Sequence, residues 1–231
     1  MKLKKVTKVE KAGRGRWYDD ACGTALAMEL VGERWSMLIV RELMFGGRRF
    51  SELKAALTGI SANILTQRLE GLESSGVLVR RKLPPPASVQ IYELTEWGYE
   101  SEEPIKALGR WAVRSPLHDP TLPLSAASIM MSFRTMISAE RAGALDAHIG
   151  FRFGPEPFLA HVANGGIAVR RAEPDAAQVV FETDPMTLAS IVYGGRPLAD
   201  AEAVGALTLG GDRALAERFV TLFVLPDKFG A

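Results

Sequence analysis

The chain has 231 residues, 47% of them apolar, and a formal net charge of +1, which excludes a disordered polypeptide and leaves ample material for packed cores. Its single cysteine, Cys22, excludes an intrachain disulfide framework and fits a reducing cytoplasm. The charge is uneven: residues 1–115 hold 19 basic against 14 acidic side chains and residues 116–231 hold 9 against 13, so a half suited to a polyanion adjoins an acidic one.

Residues 1–16 are basic and lack the apolar core of a signal peptide. No later segment reaches the length of a membrane span, so a soluble, cytoplasmic protein with a mobile basic tail is expected. From Asp19 the pattern turns helical: Ala21, Ala25, Met28, Leu30 and Val31 form one apolar face, closed by Gly32. Residues 34–45, RWSMLIVRELMF, predict a second helix ended by Gly46 and Gly47. Residues 50–57 predict a short third one, with Phe50, Leu53, Ala56 and Leu57 at helical spacing.

After the turn Thr58–Gly59 comes ISANILTQRLEGLESSGVLVRR, residues 60–81. Ser61 suits a helix N-cap. Leu65, Leu69 and Leu72 recur at intervals of four and three and face inward. Ala62, Asn63, Thr66, Gln67 and Glu70 are left outward. Gly76 ends this helix, VLVRRKL begins a strand, the prolines 84–86 make a loop tip, and ASVQIYELT returns as the second strand of a hairpin. A helix over residues 95–111 follows, with Ile105, Leu108 and Trp111 on one face.

Three prolines interrupt periodicity in residues 115–125. Beyond them SAASIMMSFRTMISAERAG predicts one long helix, and HIGFRF, FLAHVANGGIAVRR and AQVVFET predict strands, with Asn164–Gly165 as a hairpin turn. Asp184 and Pro185 read as cap and first residue of a helix through TLASIVYGG. ALTLGGDRALAERFVTLF supplies a strand and a last helix. The expected class is α+β. The expected divisions are a tail (1–16), a DNA-binding and dimerisation domain (17–114), a linker (115–125) and a second α+β domain (126–231).

Helix, helix, short helix, turn, helix and basic hairpin is the order of a winged helix-turn-helix. A major groove admits one helix, and small polar side chains at its leading end can bond base edges. Ser61, Asn63, Thr66 and Gln67 are therefore candidates for base contact, against the alternative of a solvated helix face. Arg48 and Arg49 at the start of the third helix, Arg68, and Arg80, Arg81 and Lys82 on the hairpin are candidates for phosphate contact. Arg68 has an intramolecular pair with a glutamate as an equal alternative.

The segment from CGTALAMELVGERWSMLIVRELMFGGRRFSELKAALTG through the helix above to YELTEWG, residues 20–112, resembles the HxlR-type bacterial transcriptional regulators. That resemblance implies a homodimer on palindromic double-stranded operator DNA, with terminal helices at the dimer contact. Some members of the family sense oxidants or electrophiles through a cysteine near the start of the first helix, the position of Cys22. The other reading of Cys22 is a small residue packing that helix.

Residues 126–223 resemble the sterol-carrier-protein-like domain, in the order FLAHVANGGIAVRR, AQVVFETDPMTLASIVYGGRPL, VGALTLGGDRALAERF. This implies an apolar, fatty-acid-like effector in an interior cavity. Met130, Met131, Phe133, Met136 and Ile137 are candidates to line it, or ordinary core. A lipid carrier without DNA binding is the rival that this half allows.

Chemistry of an enzyme is not legible. His118, His148 and His161 are widely spaced with no metal-binding pattern, and no nucleophile elbow or phosphate-cradling loop occurs. Glu102 and Glu103 suit a helix start instead. No catalytic residue, metal or cofactor is expected.

Overall fold

The computed structural model of the chain describes residues 18–230, and the expected basic tail lies outside them. Three helices open the fold: α1 (Gly23–Val31), α2 (Ser36–Leu43) and α3 (Phe50–Ala56). The helix α4 (Ala62–Ser74) follows, then a hairpin of β1 (Leu78–Lys82) and β2 (Gln90–Leu94). Leu65, Leu69 and Leu72 of α4 are buried and share a core with Ile39, Leu43 and Leu53. Gly76 stops α4 in the left-handed region at φ 75°, where a side chain would be strained.

The helix expected over 95–111 is two: α5 (Glu96–Tyr99) and α6 (Glu102–Ala112). Pro104 explains the break. It has no N–H to bond back to Glu100, and it is tolerated only in the first turn of a new helix. The Thr95 hydroxyl meanwhile accepts from Gly98 N at 2.9 Å and donates to the Gly76 carbonyl at 2.8 Å, folding α5 against the hairpin base.

The long helix expected from residue 125 also divides, into α7 (Ala126–Met136) and α8 (Ala139–Ala142). Ile137 is extended and bridges Phe223, while Ser138 N donates to Leu222 O at 2.8 Å and Val224 N to Met136 O at 2.9 Å. The Ser138 side chain then caps α8. Pairing with a distant segment has displaced continuation of the helix.

The strands β3 (Ala147–Phe153), β4 (Glu156–Ala163), β5 (Gly166–Arg170), β6 (Val179–Thr183) and β7 (Leu207–Gly211) form one sheet in the order β5-β4-β3-β6-β7. All neighbours are antiparallel except β3 and β6. Asn164 (φ 52°) and Gly165 (φ 74°) make the turn between β4 and β5, both left-handed as such a turn requires. Asp184 caps α9 (Pro185–Val192) through Met186 N and Thr187 N. A short α10 (Leu198–Ala203), not expected from the sequence, precedes β7, and α11 (Arg213–Phe219) closes the fold.

The two halves share a core. Helix α7 packs on α2 and α6 as well as on β5 and α9. The Phe45 ring, just past α2, meets Phe158 of β4 edge-on at 5.5 Å, and the Arg134 guanidinium lies 4.6 Å from the Phe45 centroid. The last residues return to the first half: Lys228 Nζ donates to Val113 O at 3.0 Å and Phe229 N to Arg114 O at 2.8 Å.

The proposed cavity lining needs correction. Met130, Met131, Phe133 and Met136 are buried core residues, and Ile137 is half-buried against them. Phe133 stacks on Phe223 at 4.3 Å and meets Phe219 edge-on at 5.5 Å, leaving no void beside it for a ligand. An open groove of about 530 Å³ lies elsewhere, between the end of α9, α10 and α11, and none of those five residues lines it. No helix among the described residues is long and apolar enough to cross a membrane.

Candidate nucleic-acid interface

Helix α4 begins with a true cap, since Ile64 N donates to Ser61 Oγ at 3.2 Å. That bond satisfies one of the free amides at the helix start and fixes the direction in which the next residues leave. Ser61, Asn63, Thr66 and Gln67 are all exposed. Asn63, Thr66 and Gln67 lie on the side left free when Leu65, Leu69 and Leu72 turn inward, and Ser61 is exposed at the cap just before them.

The six basic candidates divide. Arg49 is exposed, with its Nε at 4.0 Å from Glu52. On the hairpin Arg81 is 64% exposed and reaches Glu93 at 2.9 Å, while Lys82 is exposed and forms no ion pair among the described residues. Arg80 bonds Glu73 at 2.8 Å, and its guanidinium lies 5.5 Å from the Tyr92 ring. Strand alternation puts Arg80 and Lys82 on one side of the hairpin and Arg81 on the other. Arg68 is turned to its own chain, donating to Glu33 Oε2 at 2.8 Å and to the Arg34 carbonyl at 3.0 Å. This is the intramolecular alternative, and it braces α4 against the start of α2.

Arg48 is the clear correction. It is only 6% exposed, and its guanidinium forms a fork on Glu156 of β4, Nη1 to Oε2 at 3.0 Å and Nη2 to Oε1 at 3.1 Å. A phosphate cannot approach it without breaking that pair. Glu42, fully buried in α2, stands on the other side with Oε2 at 3.6 Å. Adjacent arginines in a Gly-Gly-Arg-Arg run look alike in sequence, and nothing local distinguishes the buried one. Glu42 and Glu156 were missed altogether. A lone acidic residue amid the apolar run of α2 is the one sequence signal that pointed to Glu42.

Cys22 is exposed at the N-cap of α1, so it does not pack the helix as the alternative reading held. The Thr24 amide and hydroxyl and the Ala25 amide, at the open start of α1, hold its thiol below the ordinary value of 9.0. The apolar faces of α1 and α6 are also open: Leu26, Met28 and Leu108 are exposed, and Trp111 is 72% exposed. Nothing among the described residues covers them. Among the described residues no group of three or more His, Cys, Asp or Glu side chains is placed to hold a metal ion.

The profile of the HxlR-like helix-turn-helix family matches residues 30–118, from the last residues of α1 to just past α6. Over 87 residues the chain is 39% identical to the uncharacterized HTH-type transcriptional regulator YvaP of Bacillus subtilis (strain 168), covering 37% of this chain and 80% of that protein. This chain belongs to the HxlR-like helix-turn-helix family. It is 36% identical over 86 residues to a second relative, the HTH-type transcriptional regulator YodB of the same organism, covering 37% of this chain and 77% of YodB. The reduced form of YodB, as a solved structure, aligns with 40% of this chain and 92% of its own at 34% identity and a TM-score of 0.38. The HxlR-like match stops at residue 118, before α7 and the five-stranded sheet.

Proposed function

We propose that the chain is a cytoplasmic transcription regulator that binds double-stranded operator DNA as a homodimer. Helix α4 enters the major groove with Asn63, Thr66, Gln67 and Ser61 toward base edges, where Asn and Gln suit adenine. Arg49, Arg81 and Lys82, with Arg80 once released from Glu73, grip the phosphate chain. The observation that carries this reading is the capped α4, with its four polar side chains exposed together beside a basic hairpin. Family membership supports it, because the relatives it matches are named transcriptional regulators.

The open faces of α1 and α6 provide the dimer contact. A twofold axis then sets half-sites about one DNA turn apart, or a multiple of it. In the divisions proposed from sequence, residues 17–114 do this work, and the second half, of the sterol-carrier-protein-like kind, receives an apolar effector. With the methionine cluster packed, the groove beside Ile191, Leu198 and Phe223 is the place for one. No catalytic role is proposed.

The test is binding of a fluorescein-labelled duplex as a function of salt. About 6 to 10 phosphate contacts per dimer give a log–log slope of about −5 to −9. Binding that ignores salt, or an operator preference unchanged in Asn63→Ala/Gln67→Ala, defeats the reading.

A second reading has its own observation, the exposed Cys22 whose thiol is held below its ordinary value at the start of α1. In this reading Cys22 senses an oxidant or electrophile. Modification adjoins the proposed dimer face and alters the half-site geometry. Treatment of the purified protein with a quinone, followed by mass and duplex binding, tests it: an adduct on Cys22 that leaves binding unchanged rejects the switch.

A further inference from the structure

We propose that Glu156 is a positioning residue for the DNA-binding half: from the start of β4 it holds Arg48, and through the backbone pairing of Arg48 with Tyr92 it sets where the β1–β2 wing stands relative to α4. The proposal rests on the DNA-binding reading above.

Arg48 belongs to two structures at once. Its backbone is a one-residue third strand of the wing, since Arg48 N donates to Tyr92 O at 2.9 Å and Tyr92 N to Arg48 O at 2.8 Å. Tyr92 in turn lies opposite Arg80, in the basic part of β1. The preceding residue runs flush against β2: a Cβ on Gly47 would stand 2.7 Å from Ile91 Cδ1. A shift of this segment therefore moves the hairpin base with it.

The Arg48 side chain points the other way, into the second half of the molecule. A guanidinium fork on one carboxylate fixes direction as well as distance, which a single bond to an ammonium would not do. Glu156 is held in its turn by Arg171, whose guanidinium lies 4.4 Å from the Phe158 centroid. Glu42 gives Arg48 an ion pair but no directed hydrogen bond. Its Oε1 already accepts from Arg41 at 2.9 Å and Ser125 at 2.6 Å, and its Oε2, 3.6 Å from Arg48, makes no hydrogen bond. Glu52 stands farther off, 3.9 Å from Arg48 Nε. The hydrogen-bonded fork that aims Arg48 thus comes from a residue 108 positions later, in a part of the chain beyond the HxlR-like match. Buried ion pairs add little net stability compared with apolar packing, so a fork of this geometry is better explained by the register that it imposes.

The test uses the full chain and Glu156→Gln, which keeps the shape and loses the charge and one acceptor. Affinity for a fluorescein-labelled mixed-sequence duplex should fall by about fivefold. Amide exchange at Arg48 and Tyr92 should quicken while that of Leu65 and Leu69 in α4 does not. Arg48→Lys should reproduce both results, and the double variant should bind no more weakly than either single one. If Glu156→Gln does not fold, Glu156→Asp draws the carboxylate back and is read by the same two measurements. Unchanged affinity and exchange in a folded variant overturn the proposal, and so does exchange that quickens equally in α4 and the wing. If the unmodified protein fails to bind duplex, the DNA-binding reading falls, and the exchange pattern alone decides whether Glu156 sets the wing.

Discussion

Ser125 Oγ donates a 2.6 Å hydrogen bond to Glu42 Oε1, so the residue that caps α7 is also anchored in α2, 83 positions earlier. The same oxygen accepts from Ser128 N at 3.0 Å. Replacing Ser125 by Ala removes the cap and takes one donor from a fully buried carboxylate. The expected loss is about 1 to 2 kcal/mol in urea unfolding at neutral pH. A change under about 0.5 kcal/mol would show that neither the cap nor the bond to Glu42 contributes measurably to stability.

Gly98 is where α5 meets the base of the wing. A Cβ there would stand 2.1 Å from the carbonyl oxygen of Val77, just before β1, and 3.2 Å from Leu94 Cβ of β2. Gly98→Ala should therefore lower stability by about 2 to 3 kcal/mol. Gly71, in α4, has nothing within 4 Å of its Cβ position, and Gly71→Ala should raise stability by about 0.5 to 1 kcal/mol. Equal effects in thermal melts of the two variants would contradict this account of the contact.

Acid should loosen the contact between the halves. Burial raises the carboxyl of Glu156, but the hydrogen bonds and charges of Arg48 and Arg171 outweigh it and hold the group below its ordinary value of 4.5. A depressed folded value means that the ionised form stabilises the folded state above the ordinary value, and that this contribution is lost as pH falls through the folded one. The stability of the unmodified chain should thus drop more steeply than that of Glu156→Gln below pH 4.5. Parallel curves from urea titrations across that range would refute the assignment.

Trp111 is 72% exposed on α6, one turn beyond the exposed Leu108. If this face is the dimer contact, Trp111→Glu should weaken association by about thirtyfold or more, as removal of a central aromatic anchor does. Sedimentation velocity over a concentration series reads this directly. A variant that sediments as the unmodified protein does would move the contact to another face.

The elements that position the proposed interface are legible because their signals are local. The Ser61 cap, the Leu65, Leu69 and Leu72 spacing, the Gly76 stop and the Asn164–Gly165 turn each act within a few residues. Steric limits on φ and the need to satisfy nearby amides decide them, so the four exposed polar side chains of α4 follow from the sequence. The helix breaks after Tyr99 and at Ile137 illustrate a weaker signal. Pro104 could have disclosed the first, whereas the second needs Phe223, far along the chain.

What the sequence determined by itself, then, is the order of the elements from α1 to the β1–β2 hairpin, the face that α4 leaves free and the family unit to which they belong. Tertiary structure alone decided that Arg48 is buried and Arg49 is not, that the methionines of α7 meet other side chains rather than a cavity, and that Glu42 and Glu156 bind the two halves together. The physical reason is desolvation. Whether a charged or apolar side chain meets water, a counter-ion or another ring depends on groups more than eighty positions away, and no periodicity within a helix or strand carries that information.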